Sequence, residues 1–216
     1  MNLLILGPEK RNKNVIDSLE EDHQVYVTKD EITLDYLSDN GIEFIISNGY
    51  APIIKPPITT EFKNKIVNIH PAYLPQGRGI YPNFWSFLEG FPKGATVHYI
   101  DDGIDTGAIL FREEVSFKKT DTLRSTLEIL MKLAEKLFLD NAEDILVGNV
   151  NKLEQESLSN SSIYHNRLMS EYFIDLLPSS WDTSVGFVEE MGRDFFLSAD
   201  FTNSYFCLLY TSPIPR

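Results

Sequence analysis

Three residues in the first half of the chain have types and spacing suited to one reaction. Asn68-Ile69-His70 closes the apolar run that begins at Ile66. In a strand, side chains alternate between faces, so Asn68 and His70 point into the same space. Pro71 stops the strand immediately after them. Asp105 lies in the loop Asp101-Asp102-Gly103-Ile104-Asp105-Thr106-Gly107, where Gly103 and Gly107 let the backbone approach a ligand closely. An amide, an imidazole and a carboxylate suit acyl transfer to an amine. The amide N–H and a protonated imidazole would stabilise a developing oxyanion. The carboxylate would orient the imidazole and accept a proton from the amine. The residues alone leave a plainer reading open, in which Asn68 and His70 finish a strand end and Asp105 caps a turn.

These residues need a scaffold. Asn2–Leu6, Val25–Val27, Phe44–Ser47 and Ile66–Ile69 read as short strands. Helices are expected over Asn12–Glu20 and Leu34–Leu37, the second stopped by Gly41. Strands alternating with helices imply an α/β fold with a parallel sheet. Ligands of such sheets bind beyond the carboxyl ends of the strands, which draws attention to Gly7–Arg11, Ser47–Ile54 and Asn68–Gly79. Two further strands are expected at Ala95–Ile100 and Ile109–Phe117. A long amphipathic helix is expected over Thr120–Leu146, capped by Thr120 or Asp121 and ended by Gly148. The expected units are residues 1–150, an extension over 151–192 and an unassigned tail over 193–216. Ser157–Ser162 is polar and reads as a linker, whereas Ile163–Gly192 is rich in aromatics and suits docking on the core. The apolar residues of Ile163–Phe206 fit a homodimer interface or internal packing. Leu208–Pro213 resembles translated sequencing-adapter DNA, so an artificial or truncated end is expected there.

Composition narrows the partners. The 216 residues carry a formal net charge of -13, with 43% hydrophobic and 24% charged residues. Nucleic-acid binders present a basic stripe, and the densest basic cluster here is Lys10-Arg11 with Lys13, so no nucleic-acid partner is expected. The single cysteine, Cys207, excludes an internal disulfide and fits a reducing compartment. The apolar Leu3–Leu6 run is followed by Glu9, Lys10 and Arg11, too short for a signal-peptide core. No membrane span is expected, and the protein reads as cytoplasmic. No Cys/His cluster has zinc spacing, so no metal is expected. His98 reads as a structural histidine behind the site; His23 and His165 have no partner motif.

The block Asn68-Ile69-His70-Pro71, Leu74-Pro75, Arg78-Gly79 and then His98-Tyr99-Ile100-Asp101-Asp102-Gly103-Ile104-Asp105-Thr106-Gly107 resembles the catalytic domain of the folate-dependent formyltransferases. The resemblance covers roughly residues 1–150. It implies a Rossmann-like formyltransferase fold, a mostly parallel sheet flanked by helices, with a short C-terminal extension. It implies Asn68, His70 and Asp105 as the catalytic trio, and 10-formyltetrahydrofolate as co-substrate. Asp105 would hold His70 and favour its charged form, against an unperturbed value near ~6.5. The amine must attack neutral, so rate should fall at low pH. The segment Ser47–Ile54 resembles the family's folate loop, implying contacts from Gly49, Tyr50, Ala51, Ile53 and Ile54, with Asp101, Asp102 and Ile104 on the opposite wall. From the residues alone, Tyr50, Ile53 and Ile54 fit ordinary core as well. Leu74-Pro75 resembles a family turn with a cis proline.

The acceptor is narrowed by differences within the family. Leu6-Gly7-Pro8-Glu9-Lys10-Arg11-Asn12 holds one glycine where the ribonucleotide-formylating branch has a glycine-rich phosphate loop. About 66 residues follow Val150, and they are acidic, which does not suit the barrel of the tRNA branch. The block Arg78–Ser86 looks most like the sugar N-formyltransferases, implying acceptor contacts from Arg78, Gly79, Tyr81 and Asn83. Trp85 reads as buried packing. The expected reaction is formylation of the amine of a nucleotide-linked amino sugar. Alternatives are formylation of another small amine such as glycinamide ribonucleotide, or a noncatalytic folate- or nucleotide-binding module. Hydrolysis of the formyl-folate by water would use the same trio, but that branch adds an N-terminal regulatory domain, whereas this sequence opens on its first strand.

Overall fold

The computed structural model describes residues 1–155, 164–165 and 167–197. The expected linker over Ser157–Ser162 and residues 198–216 of the expected tail over 193–216 lie outside them. Its centre is a six-stranded sheet built from β1 (Asn2–Leu6), β2 (Gln24–Thr28), β3 (Phe44–Ser47), β4 (Ile66–His70), β6 (Gly94–Tyr99) and β7 (Ile109–Glu114). The order across the sheet is β2-β1-β3-β4-β6-β7. The pairs among the first four strands are parallel, whereas β6 runs antiparallel to both β4 and β7. A second, two-stranded sheet pairs β5 (Arg78–Gly79) with β8 (Tyr164–His165).

Period-two alternation sorts each strand between two cores. Leu3, Ile5, Phe44, Ile46, Val67 and Ile69 pack on one face with Val15, Ile16 and Leu19 of α1 (Glu9–Leu19) and with Ala134 and Phe138 of α5 (Leu123–Leu139). Leu4, Leu6, Ile45 and Ile66 pack on the other face with Leu37 of α2 (Leu34–Asp39) and Ile58 of α3 (Ile58–Glu61). Both faces are covered, which is why these strands read as unbroken apolar runs rather than alternating ones. A third cluster lies beside the sheet. There Phe84, Trp85, Phe87 and Leu88 of α4 (Pro82–Leu88) meet Phe173 of α7 (Arg167–Asp175) and Val185 and Val188 of α8 (Val185–Leu197).

Several boundaries differ from the sequence expectation, three of them for a visible reason or by more than two residues. Helix α1 starts at Glu9, because Arg11 N and Asn12 N both donate to the Pro8 carbonyl. The last sheet strand ends at Glu114 rather than Phe117. The helix expected over Thr120–Leu146 is two helices, α5 and α6 (Ala142–Val147). Its cap is Thr122, not Thr120 or Asp121: the Thr122 hydroxyl accepts from Ser125 N at 3.2 Å, and Ser125 Oγ accepts from Thr122 N at 3.0 Å. The break falls at Asn141, whose backbone leaves the helical region and whose side chain donates to the Leu137 carbonyl at 2.8 Å. Asparagine competes for backbone groups in this way and so favours helix ends. Gly148 closes α6 in a left-handed conformation. Among the described residues no helix is long and apolar enough to cross a membrane.

Candidate active site

The parallel strands β1, β3 and β4 end on one edge of the sheet, and the candidate residues gather there. Register places them. Asn68 on β4 is the cross-strand partner of His98 on β6, and of Ser47 on β3. The loop from β6 to β7 then returns over this edge and carries Asp105 inward. Gly107 permits that return, since a Cβ there would lie 1.9 Å from the Tyr99 carbonyl oxygen. Thr106 Oγ1 and Gly103 N donate to Asp101 Oδ1 at 2.5 and 3.0 Å, which closes the loop on itself. After β4, the Leu74-Pro75 bond is cis, and the turn is tied down by Thr96, whose hydroxyl donates to the Ala72 carbonyl and accepts from Leu74 N.

The result is a compact polar cluster. Asn68 Nδ2 lies 3.3 Å from Asp105 Oδ1 and 3.3 Å from His98 Nε2. His98 Nδ1 sits 2.8 Å from the Tyr99 carbonyl, which can only accept, so Nδ1 carries a proton, and Nε2 lies between Asn68 Nδ2 and Asp105 Oδ1, 3.6 Å from the latter. His98 is therefore part of the cluster rather than behind it. His70 Nε2 lies 3.1 Å from the Gly77 carbonyl and 4.0 Å from Asp105 Oδ2. The same logic puts a proton on His70 Nε2. Asp105 Oδ2 accepts from Gly79 N at 2.9 Å.

Charge in this cluster is set by burial against hydrogen bonding. Burial is the largest influence on His70 and lowers its pKa; Asp105 pulls the other way but does not overcome it. The expectation that the carboxylate would favour a charged His70 is thus reversed here, because the imidazole is buried and also feels His98 and Arg11. Burial likewise pushes the Asp105 pKa up, yet the neighbouring imidazoles and the Gly79 N–H outweigh it and hold the carboxyl well below its usual range. The cluster at neutral pH is a carboxylate beside a neutral imidazole whose N–H is held by the Gly77 carbonyl. His70, His98 and Asp105 also bring one potential metal-ligand atom each within 4.8 Å of one another. The proton that the Gly77 carbonyl requires on His70 Nε2 leaves that nitrogen without a lone pair for a metal.

One recess opens on the cluster, and another lies beside the segments that follow β1 and β3. The first, about 250 Å³, is lined by Tyr50, Ala51, Pro52, Ile53 and Ile54 on one side and by Ile100, Asp101, Gly103, Ile104 and Thr106 on the other. Asn68, His98, Asp105 and Gly79 also line it. Apolar walls, backbone polar groups and a reactive inner end suit a flat heteroaromatic ring. Gly49 and Asp102 do not line this recess. Gly49 lies under the Arg11 side chain, and Asp102 Oδ1 accepts from Thr59 Oγ1 at 2.5 Å. The second, about 620 Å³, is lined by Pro8, Lys10, Arg11, Asn14, Asn48, Glu128, Met131, Lys132 and Glu135. Arg11 is held in place by Nε donating to Asn48 Oδ1 at 3.0 Å.

The residues expected to contact an acceptor separate. Arg78 and Gly79 sit at the cluster. Tyr81 packs its ring on Trp181, 5.4 Å between centroids. Asn83 is buried with 1% exposure, and its amide donates to the Leu123 carbonyl and to Thr126 Oγ1, so it fastens α4 to α5 instead of facing a ligand. Sequence reasoning missed Asn48 and Gln155. Asn48 had a signal, since it follows β3 at the sheet edge; Gln155 stands in no motif.

Residues 7–141, more than half of the chain, match the formyl transferase family. The formyltransferase PseJ from Anoxybacillus kamchatkensis, solved in complex with UDP-4,6-dideoxy-4-formamido-L-AltNAc and tetrahydrofolate, is 39% identical with a TM-score of 0.82. That likeness covers 89% of this chain and 100% of that one. Phosphoribosylglycinamide formyltransferase of Bacillus subtilis is 32% identical over 110 residues, 50% of this chain and 56% of that protein. The trifunctional purine biosynthetic protein adenosine-3 of Drosophila pseudoobscura pseudoobscura is 31% identical over 115 residues, 51% of this chain and 8% of that protein. The chain thus spans about half of the bacterial relative and a small part of the insect one.

Proposed function

The chain belongs to the formyl transferase family, and on that premise we propose that it moves a formyl group from 10-formyltetrahydrofolate to the amine of a nucleotide-linked amino sugar. The observation that carries this reading is the 39% identity to PseJ across that protein's whole chain, together with the nucleotide-linked sugar and tetrahydrofolate bound there.

The site supports the same chemistry. The folate supplies the activated formyl group. The recess between Tyr50–Ile54 and Ile100–Thr106 suits its ring and leads to Asn68 and Asp105. Asn68 Nδ2 would donate to the formyl oxygen as negative charge develops on it, and the His70 Nε2–H, which rests on the Gly77 carbonyl, would join it on leaving that acceptor. Asp105, already ionised, would take the proton from the attacking amine and pass it on. In balance, the amine nitrogen bonds the formyl carbon, that carbon's bond to the folate nitrogen breaks, and one amine proton ends on the folate nitrogen. Lys10, Arg11 and Lys132 in the second recess support an anionic acceptor.

A second acceptor is favoured by a specific observation, the 32% identity to the B. subtilis ribonucleotide enzyme. One assay separates the two. Absorbance loss of 10-formyltetrahydrofolate is followed with a panel of nucleotide-linked amino sugars and with glycinamide ribonucleotide. Consumption that requires one amino sugar supports the proposal. Consumption only with the ribonucleotide replaces the acceptor, and folate binding without consumption for any amine points to a binding module.

A further inference from the structure

Beyond the residues matched to the family, the chain returns to the site. Leu153 pairs with Ile109 in an antiparallel bridge, with both N–H···O bonds at 2.9 Å. Continuing that register by two residues sets Gln155 opposite Gly107, at the mouth of the loop that carries Asp105. Gln155 is 1% exposed. Its Nε2 donates to the Asp105 carbonyl at 2.9 Å and to the Gly107 carbonyl at 2.7 Å. Its Oε1 accepts from Arg78 Nε at 3.1 Å and from Arg78 Nη2 at 2.7 Å. Carbonyls only accept and a guanidinium only donates, so the partners fix the orientation of the amide and use both its hydrogens and both its lone pairs.

Asp105 needs such support. Its φ is 51°, in the left-handed region that non-glycine residues seldom adopt, and nearby structure must hold it there. The contacts form a closed circuit: Gln155 grips the Asp105 backbone, the Asp105 carboxylate accepts from Gly79 N, and the Arg78 side chain next to Gly79 returns to Gln155. We propose that Gln155 is a positioning residue, which holds the Asp105 carboxylate on the reacting face and ties it to the segment Arg78–Gly79 at the inner end of the first recess. The kinetic part of this proposal rests on Asp105 acting in formyl transfer.

Gln155→Glu keeps the shape and the link to Arg78 but removes both donors to the Asp105–Gly107 loop; Gln155→Met removes every contact. The expected result is a fall in kcat of about 10²-fold in both, as for a misplaced reacting group, with KM for 10-formyltetrahydrofolate within about threefold of wild type. Hydrogen exchange at the Gly79 amide, which reports its bond to Asp105, should lose protection while β1 and β3 keep theirs. If Gln155→Met does not fold, Gln155→Glu carries the test. A kcat within about threefold of wild type in the folded variant, or unchanged Gly79 protection, overturns the proposal and leaves Gln155 a plain structural clamp. If wild type transfers no formyl group to any amine, the function proposed above fails, and Gly79 exchange alone decides whether Gln155 holds Asp105.

Discussion

The Asn68 amide and the Asp105 carboxylate meet at 3.3 Å, one from the end of a parallel strand and the other from a loop whose sequence lies 37 residues on. The contact orients the amide so that its hydrogens face the carboxylate and His98 Nε2. A formyl oxygen entering the site would compete for one of those hydrogens. Asn68→Ala should lower kcat by about 10²–10³-fold, the cost of a lost oxyanion donor, with little change in melting temperature because Asn68 is half-buried. Steady-state kinetics with thermal denaturation of the same sample checks this; an unaltered kcat removes Asn68 from the reaction.

His70 and Asp105 should behave as a pair. His70→Ala or Asp105→Ala is expected to reduce turnover by about 10²–10⁴-fold with folding intact. The double variant should cost little more than the worse single one, since groups acting as a unit are not additive. Fully additive losses in that cycle would contradict a shared step.

The buried His70 also predicts how stability varies with pH. Its folded pKa is lowered, while an unfolded histidine titrates near ~6.5. Between those values the unfolded chain binds the extra proton, so stability is full above about pH 6.5 and declines as pH falls toward the folded value. Asp105, also lowered, loses its stabilisation only as pH falls below the unfolded carboxyl value of about 3.9, so it does not contribute to the change between pH 7 and 5. Denaturant titrations from pH 7 to 5 should show this decline in wild type and a flatter profile in His70→Asn. Stability that rises toward pH 5 in wild type would show that His70 is charged in the folded protein.

The two recesses predict separable affinities. Ile104 is half-buried on the wall opposite Tyr50. Ile104→Asp places a charge where a flat apolar ring is expected, and should raise KM for the folate about tenfold or more, about 1.4 kcal/mol. Arg11→Ala, in the other recess, should raise KM for an anionic acceptor by a similar factor and leave the folate KM alone. Competition kinetics with both substrates varied distinguishes them, and a shift of the same substrate's KM in both variants would merge the recesses into one site.

Much of this arrangement is visible in the sequence because it depends on local rules. The apolar runs at Leu3–Leu6 and Phe44–Ile46 are strands because both faces are buried, and alternation alone puts Asn68 and His70 on one side. Other features depend on contacts between distant segments. The antiparallel register that sets His98 beside Asn68 is a tertiary fact. So is the bridge from Leu153 to Ile109 that delivers Gln155. The neutral state of His70 follows from burial, which spacing does not encode. The resemblance of Arg78–Ser86 to the sugar N-formyltransferases implies an acceptor contact from Asn83; all seven residues of α4 are in fact buried, and its amide serves the helix interface.

That same α4 ties the extension to the fold. Phe173 is 2% exposed and meets Trp85, Phe84 and Phe195 at 5.5, 6.4 and 5.1 Å between ring centroids. Removing the ring leaves a cavity between α4, α7 and α8 that these helices cannot fully close. Phe173→Ala should therefore destabilise the protein by about 3–5 kcal/mol. The polar cluster lies at the sheet edge and is fixed by β4, β6 and their loops, none of which Phe173 touches through these ring contacts. Turnover per folded molecule should stay within about threefold of wild type at a temperature where the variant remains native. Urea titration combined with active-site-normalised kinetics checks both halves. A large loss of turnover without loss of stability would mean that the extension reaches the reacting groups by a route other than α4.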